Sequence, residues 1–245
     1  MNPTFSIITA VRNGLPDLQR TYGSLLNQTL QDFEWIVIDA ASTDGTAEWL
    51  SDLAAFPDRM YWVSEPDQGI SDAWNKAIAQ ASGAQVLILN AGDTYDKDLI
   101  ESFSNVVNDK QVTCCHTRLL TESGIPVGVF NATPAKLWRG MHVPHNWCSV
   151  PLNFYTELGG YRLMQSSMDF DWFHRYYLQR GVAGFLVIDS VLGDYRLGGH
   201  SDINFKESFV ANEEIMRVNG TPRWLAALMR RIYTARHLWM KYRTL

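Results

Sequence analysis

Val86-Leu87-Ile88-Leu89-Asn90-Ala91-Gly92-Asp93 is the stretch on which the reading of this chain turns. Consecutive aliphatic residues of this kind are the pattern of a strand buried on both faces. The run stops at Asn90, Gly92 and Asp93, residue types that form turns and present oxygen. The carboxyl edge of a strand in an open α/β sheet is where ligands bind. Asp93 suits a divalent cation, and such a cation suits a diphosphate. The same residues also read as a plain strand followed by an Asn-Gly-Asp turn, so their surroundings decide.

Working outward, residues 5–11 and 34–39 repeat the apolar pattern, the second ending in Asp39. Residues 60–64 form a third strand before the polar loop Glu65-Pro66-Asp67-Gln68-Gly69. Helical spacing fills the intervals: 17–28 with Leu18, Tyr22, Leu25 and Leu26, a helix capped by Thr43 or Asp44, 70–81 closed by Gly83, and 97–107. Strand and helix alternate as in a parallel α/β sheet, whose right-handed connections gather the loops after the strands along one edge. Asp39, Asp67 and Asp93 all fall on that edge. Helix capping accounts for single acids such as Asp44; it does not predict an acid after a strand again and again.

The second half changes character. Residues 111–119 and 125–130 read as a hairpin about Glu122-Ser123-Gly124. Residues 138–147 are rich in His, Trp and Pro, with Trp138 read as core. Residues 169–179 are helical with an aromatic face of Phe170, Phe173, Tyr176 and Tyr177, and 185–188 and 191–195 are short strands. No Pro/Gly/Ser-rich linker interrupts the chain. The expected organisation is one domain over 1–218, with a nucleotide half (1–110) and an acceptor half (111–218), followed by a basic helix over 219–245.

Composition sets the outer limits. Of 245 residues, 46% are hydrophobic and 19% charged, enough to build a core. A net charge of −5 argues against a general nucleic-acid binder. Three cysteines, two of them adjacent, fit neither a disulfide framework nor a CxxC metal site, and point to a reducing compartment. The first residues show no signal-peptide pattern, and no apolar run approaches about 18 residues. The expected location is cytoplasmic.

Four segments in register resemble the inverting family 2 glycosyltransferases of the GT-A fold: Ser6-Ile7-Ile8-Thr9, Ile38 to Thr46 (IDAASTDGT), Glu65 to Lys76 (EPDQGISDAWNK) and Leu89 to Asp93 (LNAGD). The nearest flavour is the bacterial branch that builds colanic acid, capsule and O-antigen. The resemblance implies a UDP- or GDP-sugar donor bound across the sheet edge. Thr9, Val11 and Arg12 would line the base and ribose pocket, Asp39 would accept from the base imide, and Asp67 would lie near base or ribose. Asn90 to Asp93, with Gly92 between, occupies the place of the family's DxD motif, and Asp93 would hold Mg²⁺ or Mn²⁺. Lys76 either approaches the phosphates or is a solvated helix residue.

Such a cation offsets the charge of a departing diphosphate, and inversion needs a base within reach of the acceptor hydroxyl. The segment Ser166 to Arg175 matches the family's acidic motif, making Asp169 the base and Asp171 the runner-up or a group that orients it. Both acids also suit a helix N-terminus for electrostatic reasons alone. Later in the chain, Arg196 is a candidate for phosphate and His200 for metal or phosphate. His145 and Trp147 are candidates for the acceptor. Ala40 and Ala41 replace the Asp or Gly usual in the family, and Asn90 replaces an acid found in many members. These departures give room to an alternative, a catalytically silent GT-A domain that scaffolds an assembly complex. A Rossmann dehydrogenase is excluded because Thr9 to Gly14 lacks the glycine fingerprint.

In the tail, Leu225, Leu228, Ile232, Ala235, Trp239 and Tyr242 recur at helical spacing, with Arg223, Arg230, Thr234, His237 and Lys241 opposite. After Glu214 there are seven basic residues and no acids. Two readings follow: a basic amphipathic helix on the inner face of an anionic membrane, where a lipid-linked acceptor is found, or a helix that docks on the domain or on a second subunit of a homo-oligomer.

Overall fold

The computed structural model of the protein describes residues 2–53, 58–198 and 205–243, with Phe205 and 236–243 by backbone alone. Strands β1 (Phe5–Val11), β2 (Phe33–Asp39), β3 (Met60–Ser64) and β4 (Gln85–Ile88) are parallel in the order β3-β2-β1-β4. Helices α1 (Leu15–Leu26), α2 (Thr46–Asp52) and α3 (Ile70–Gln80) connect them. This half follows the expected layout closely.

The sheet then becomes mixed. β4 pairs antiparallel with β8 (Cys148–Pro151), and β8 antiparallel with β6 (Val112–Leu120). β6 runs parallel to β9 (Phe185–Arg196) and forms the expected hairpin with β7 (Pro126–Phe130). The short β5 (Thr94–Tyr95) closes the far side against β9. β9 is continuous where two short strands were expected; its register against β6 shifts near His116. The remaining helices are α4 (Leu99–Ser104), α5 (Leu152–Leu158), α6 (Met168–Arg180), α7 (Phe205–Val218) and α8 (Arg223–Arg243).

The core explains the Val86-Leu87-Ile88-Leu89 run. Successive strand residues point to opposite faces. Val86 and Ile88 join Ile8, Ile36, Trp74, Trp172 and Phe173 under α3 and α6. Leu87 and Leu89 join Ile7, Val37, Leu18 and Phe103 under α1 and α4. All four are at most 2% exposed. Each stabilises the sheet by about 1.5–3 kcal/mol, and a polar residue at any of them would fail on one face or the other. Trp138, expected in the core, is 38% exposed. It sits in a 3₁₀ segment, Pro134–Arg139, with the Arg139 guanidinium over its ring.

Candidate active site at the seam of the sheet

The turn after β4 is fastened to α1. Gly92 takes a left-handed φ of 101° and donates its N–H to Thr21 Oγ1 (3.0 Å), whose hydroxyl donates to the Asp93 carbonyl (2.9 Å). This presents Asn90 and Asp93 to the loop before β8. There Asn146, 5% exposed, bridges both: its Nδ2 donates to Asp93 Oδ2 and its Oδ1 accepts from Asn90 Nδ2 (3.2 Å). The Tyr95 hydroxyl fixes Asn146 by donating to its carbonyl (2.8 Å). Burial pushes the Asp93 carboxyl up to about 7, aided by Asp17 and opposed by hydrogen bonds from Asn146 and the Arg196 backbone amide. Asn90 Oδ1 is buried and accepts no hydrogen bond among the described residues.

A buried carboxylate and an orphaned amide oxygen side by side fit a hard divalent cation. The set is lean: no three His, Cys, Asp or Glu converge among the described residues. Diphosphate oxygens and water complete such a shell in a Mg²⁺ or Mn²⁺ site. His200 lies outside the described residues.

The acid pair on α6 separates cleanly. Residues two apart on a helix point about 200° apart. Asp171 turns inward and is 1% exposed; its carboxylate accepts from Arg162 Nη1 (2.9 Å) and Arg175 Nε (3.0 Å). Arg175 in turn donates to the carbonyls of Leu158 (2.7 Å) and Gly160 (2.8 Å). Asp171 therefore anchors the loop before Tyr161 and has no free oxygen to act as a base. Asp169 is half-buried, and among the described residues only its Oδ1 is engaged, by the Phe170 N–H (2.8 Å). Its negative charge is felt by His145 and Tyr161.

Around Asp169 the walls are aromatic. His145 packs on Trp74 (4.8 Å between centroids) and on Tyr161, whose hydroxyl is 3.4 Å from His145 Nε2. Burial pulls the His145 imidazole below its ordinary value, with Asp169 opposing. Asn75 clasps the Tyr161 backbone from α3, accepting its N–H (2.9 Å) and donating to its carbonyl (2.8 Å). His145 thus stays a candidate for the acceptor. Trp147 does not: it is 1% exposed between Tyr95 and Tyr195 and belongs to the core beneath Asp93.

The remaining candidates divide. Thr9 is fully buried, its hydroxyl donating to the Leu89 carbonyl (2.8 Å) and accepting from Trp35 Nε1 (3.0 Å), so it ties strands together rather than lining a pocket. Val11 is 6% exposed at the end of β1, and Arg12 beside it is exposed and unpaired among the described residues. Asp39 is also fully buried and accepts from Ser42 N–H (3.1 Å), Ser42 Oγ and Ser64 Oγ (2.6 Å). That occupies three of about four lone-pair sites; Asp39 braces the loop instead of offering an open face. The Asn13 side chain locks the neighbouring loop, accepting from Thr43 N–H (2.8 Å). Asp67 turns its own loop by accepting from Gly69 N–H (3.0 Å). Lys76 is partly buried and engaged by Glu65 (2.7 Å) and Asp72 (3.2 Å). Arg196 reaches Asp93 by its backbone amide, while its guanidinium donates to the Glu122 carbonyl (2.8 Å).

Asn146 belongs to a loop expected to face the acceptor, and its bonds to Asp93 and Asn90 are what the sequence does not disclose. It lies between the two aromatic residues singled out in its loop, and an isolated Asn there looks like turn chemistry.

The sequence profile described as Glycosyl transferase family 2 matches residues 6–166. A putative teichuronic acid biosynthesis glycosyltransferase, TuaG of Bacillus subtilis, is 30% identical over 138 residues, 55% of each chain. An uncharacterised glycosyltransferase of Mycobacterium tuberculosis is 43% identical over 94 residues, 38% of this chain and 35% of its own. The chain therefore spans about half or less of the length of these curated relatives. Among solved structures, S. aureus TarS (1–349) in complex with UDP-GlcNAc superposes with a TM-score of 0.70 at 15% identity, covering 96% of this chain and 72% of that one. A Pyrobaculum calidifontis mannosyltransferase in complex with GDP-Man and Mn²⁺ gives 0.65 at 16% identity, covering 96% and 75%.

Proposed function

The chain belongs to glycosyl transferase family 2 and has the GT-A fold, and from that premise we propose that it moves a sugar from a nucleoside-diphosphate sugar to a glycan acceptor with inversion. The observation that carries the reading is that two different carboxylates border one loop, Asp93 at Asn146 and Asp169 near His145. Asp93 is buried and held by amides at the strand edge, and Asp169 is half-buried and largely free among aromatic rings. The first suits a cation and diphosphate; the second suits a hydroxyl proton.

In this reading Asp93 and the Asn90 amide oxygen hold Mg²⁺ or Mn²⁺, which supplies charge stabilisation to the leaving diphosphate. Asn146 keeps both groups aimed at that position. Asp169 Oδ2 takes the proton from the acceptor hydroxyl as it attacks the anomeric carbon, and the bond to the diphosphate breaks on the opposite side. His145, Tyr161 and Trp74 exclude water from that face. The donor class is supported by the fold neighbours solved in complex with UDP-GlcNAc and with GDP-Man. The acceptor class, a lipid-linked glycan of a bacterial surface polymer, is supported by the relative named for teichuronic acid.

The lean ligand set at Asp93 favours one second reading, a domain that binds nucleotide without transferring sugar. Transfer or donor hydrolysis by the wild type, lost in Asp169→Asn with nucleotide affinity retained, supports the enzyme. Nucleotide binding with no turnover in either protein supports the silent domain.

A further inference from the structure

The two faces of α8 meet different environments. Its inner face docks on the domain: Ala226 and Met229 are buried with Phe170, Ile215 and Met216, and the Tyr233 hydroxyl lies 2.8 Å from His142 Nε2. Arg230 is paired with Glu213 of α7. The expectation that this helix packs on its own domain is met by this face.

The outer face is open. Trp224, Leu228 and Ile232 are 69%, 44% and 46% exposed. Their spacing of four lays them along one stripe of the helix. Arg231 is exposed at the border of that stripe, and Arg223 at its start. An aligned Trp-Leu-Ile stripe is not the scattered surface apolarity of an ordinary domain.

Charge selects the occupant. Residues 215–245 carry seven basic residues and no acid. A protein groove would have to bury arginines beside the stripe, whereas anionic headgroups neutralise them while the aromatic and aliphatic side chains enter the acyl boundary. Placement agrees. α8 packs on α6 at Phe170, the residue after the candidate base Asp169.

We propose that Trp224, Leu228 and Ile232, flanked by Arg223 and Arg231, dock the protein on an anionic lipid surface. The stripe and its charge carry this inference; the choice of a lipid-linked acceptor rests on the function proposed above and gains a physical route from it. With α8 on the bilayer, α6 and its acid are held one helix away from the lipid.

The test uses the full chain and vesicles of roughly one-third phosphatidylglycerol in phosphatidylcholine. The comparison protein is the triple variant Trp224→Gln/Leu228→Gln/Ile232→Gln, whose fold is checked by circular dichroism. The wild type is expected to pellet with these vesicles, to stay in solution with pure phosphatidylcholine, and to bind at least about tenfold better than the variant. Both are expected to show the same thermal shift with UDP and Mn²⁺. Wild type that remains in solution with the anionic vesicles, or a variant that pellets equally, overturns the proposal. So does a wild-type dimer that the variant dissolves, since the stripe then belongs to a second copy. Vesicle binding without any nucleotide shift leaves the lipid surface standing and removes the donor reading instead.

Discussion

Replacing Asp93 by Asn isolates the free energy stored in one buried carboxylate. The group sits at about 7 in the folded protein against an ordinary value of 3.8, chiefly because burial disfavours its charge. A carboxyl raised in the fold is harmless below its unfolded value and opposes folding increasingly as pH rises toward the folded one. The full penalty, reached above about pH 7, is about 4 kcal/mol at 1.36 kcal/mol per pH unit. Asn keeps an oxygen to accept from Asn146 and the Arg196 amide, but it cannot ionise. Urea unfolding of apo protein from about pH 5 to pH 8 should show the wild type losing stability with rising pH and Asp93→Asn remaining flatter, the gap widening by about 2–4 kcal/mol. Mn²⁺ with UDP at pH 8 should close most of that gap, since a ligand at about 100 times its Kd adds about 2.7 kcal/mol, and only the wild type retains the carboxylate. A gap that stays constant across pH would refute the buried-charge argument. Equal stabilisation of both proteins by Mn²⁺ and UDP would refute the cation site.

Other perturbations separate structure from chemistry. Asp171→Ala leaves Arg175 facing an empty pocket and should destabilise the protein by about 3 kcal/mol in denaturant melts; Asp169→Asn should change stability by less than about 0.5 kcal/mol while abolishing transfer. Asn146→Ala strips a donor from Asp93 and an acceptor from Asn90, and should lower stability by about 1–3 kcal/mol while weakening Mn²⁺-dependent nucleotide binding in calorimetry. Asn90→Ala should weaken the same binding less than Asp93→Ala, which should eliminate it. Gly193→Ala would drive a Cβ into Trp147 Nε1 and the Thr94 carbonyl, and should yield little folded protein by circular dichroism.

The first half of the fold was legible because its signals are local. Apolar runs end in turn residues, and helices begin after them, so β1 to β4 and their loops follow from a few residues at a time. β8 was not legible: Cys148-Ser149-Val150-Pro151 is short and ends in proline, and it is a strand only because β4 and β6 lie on either side of it. The same limit applies within the site. The resemblance ranks Asp169 ahead of Asp171, but residue type alone does not separate them; Arg162 and Arg175, which engage Asp171, do, and their convergence is tertiary. Trp138 and Trp147 illustrate it in opposite directions, the expected core residue being exposed and the expected acceptor residue buried. Thr9 and Asp39 have their polar atoms taken by Leu89, Trp35 and Ser64, contacts across the sheet that no spacing rule foresees, whereas Lys76 is held in part by Asp72 one helical turn earlier.

The change from parallel to antiparallel pairing at β4 governs how this protein can be recombined with its relatives. A fragment ending at residue 110 would contain Asp93 but neither Asn146 nor the Arg196 amide, and β4 would present an unpaired edge where β8 belongs. The proposed donor site is consequently not a transplantable front half. A chimera cut between the halves inherits a carboxylate whose supports came from another parent. Productive exchanges must carry residues 90–96, 145–151 and 193–196 as one unit, and natural variation at those positions should be inherited together.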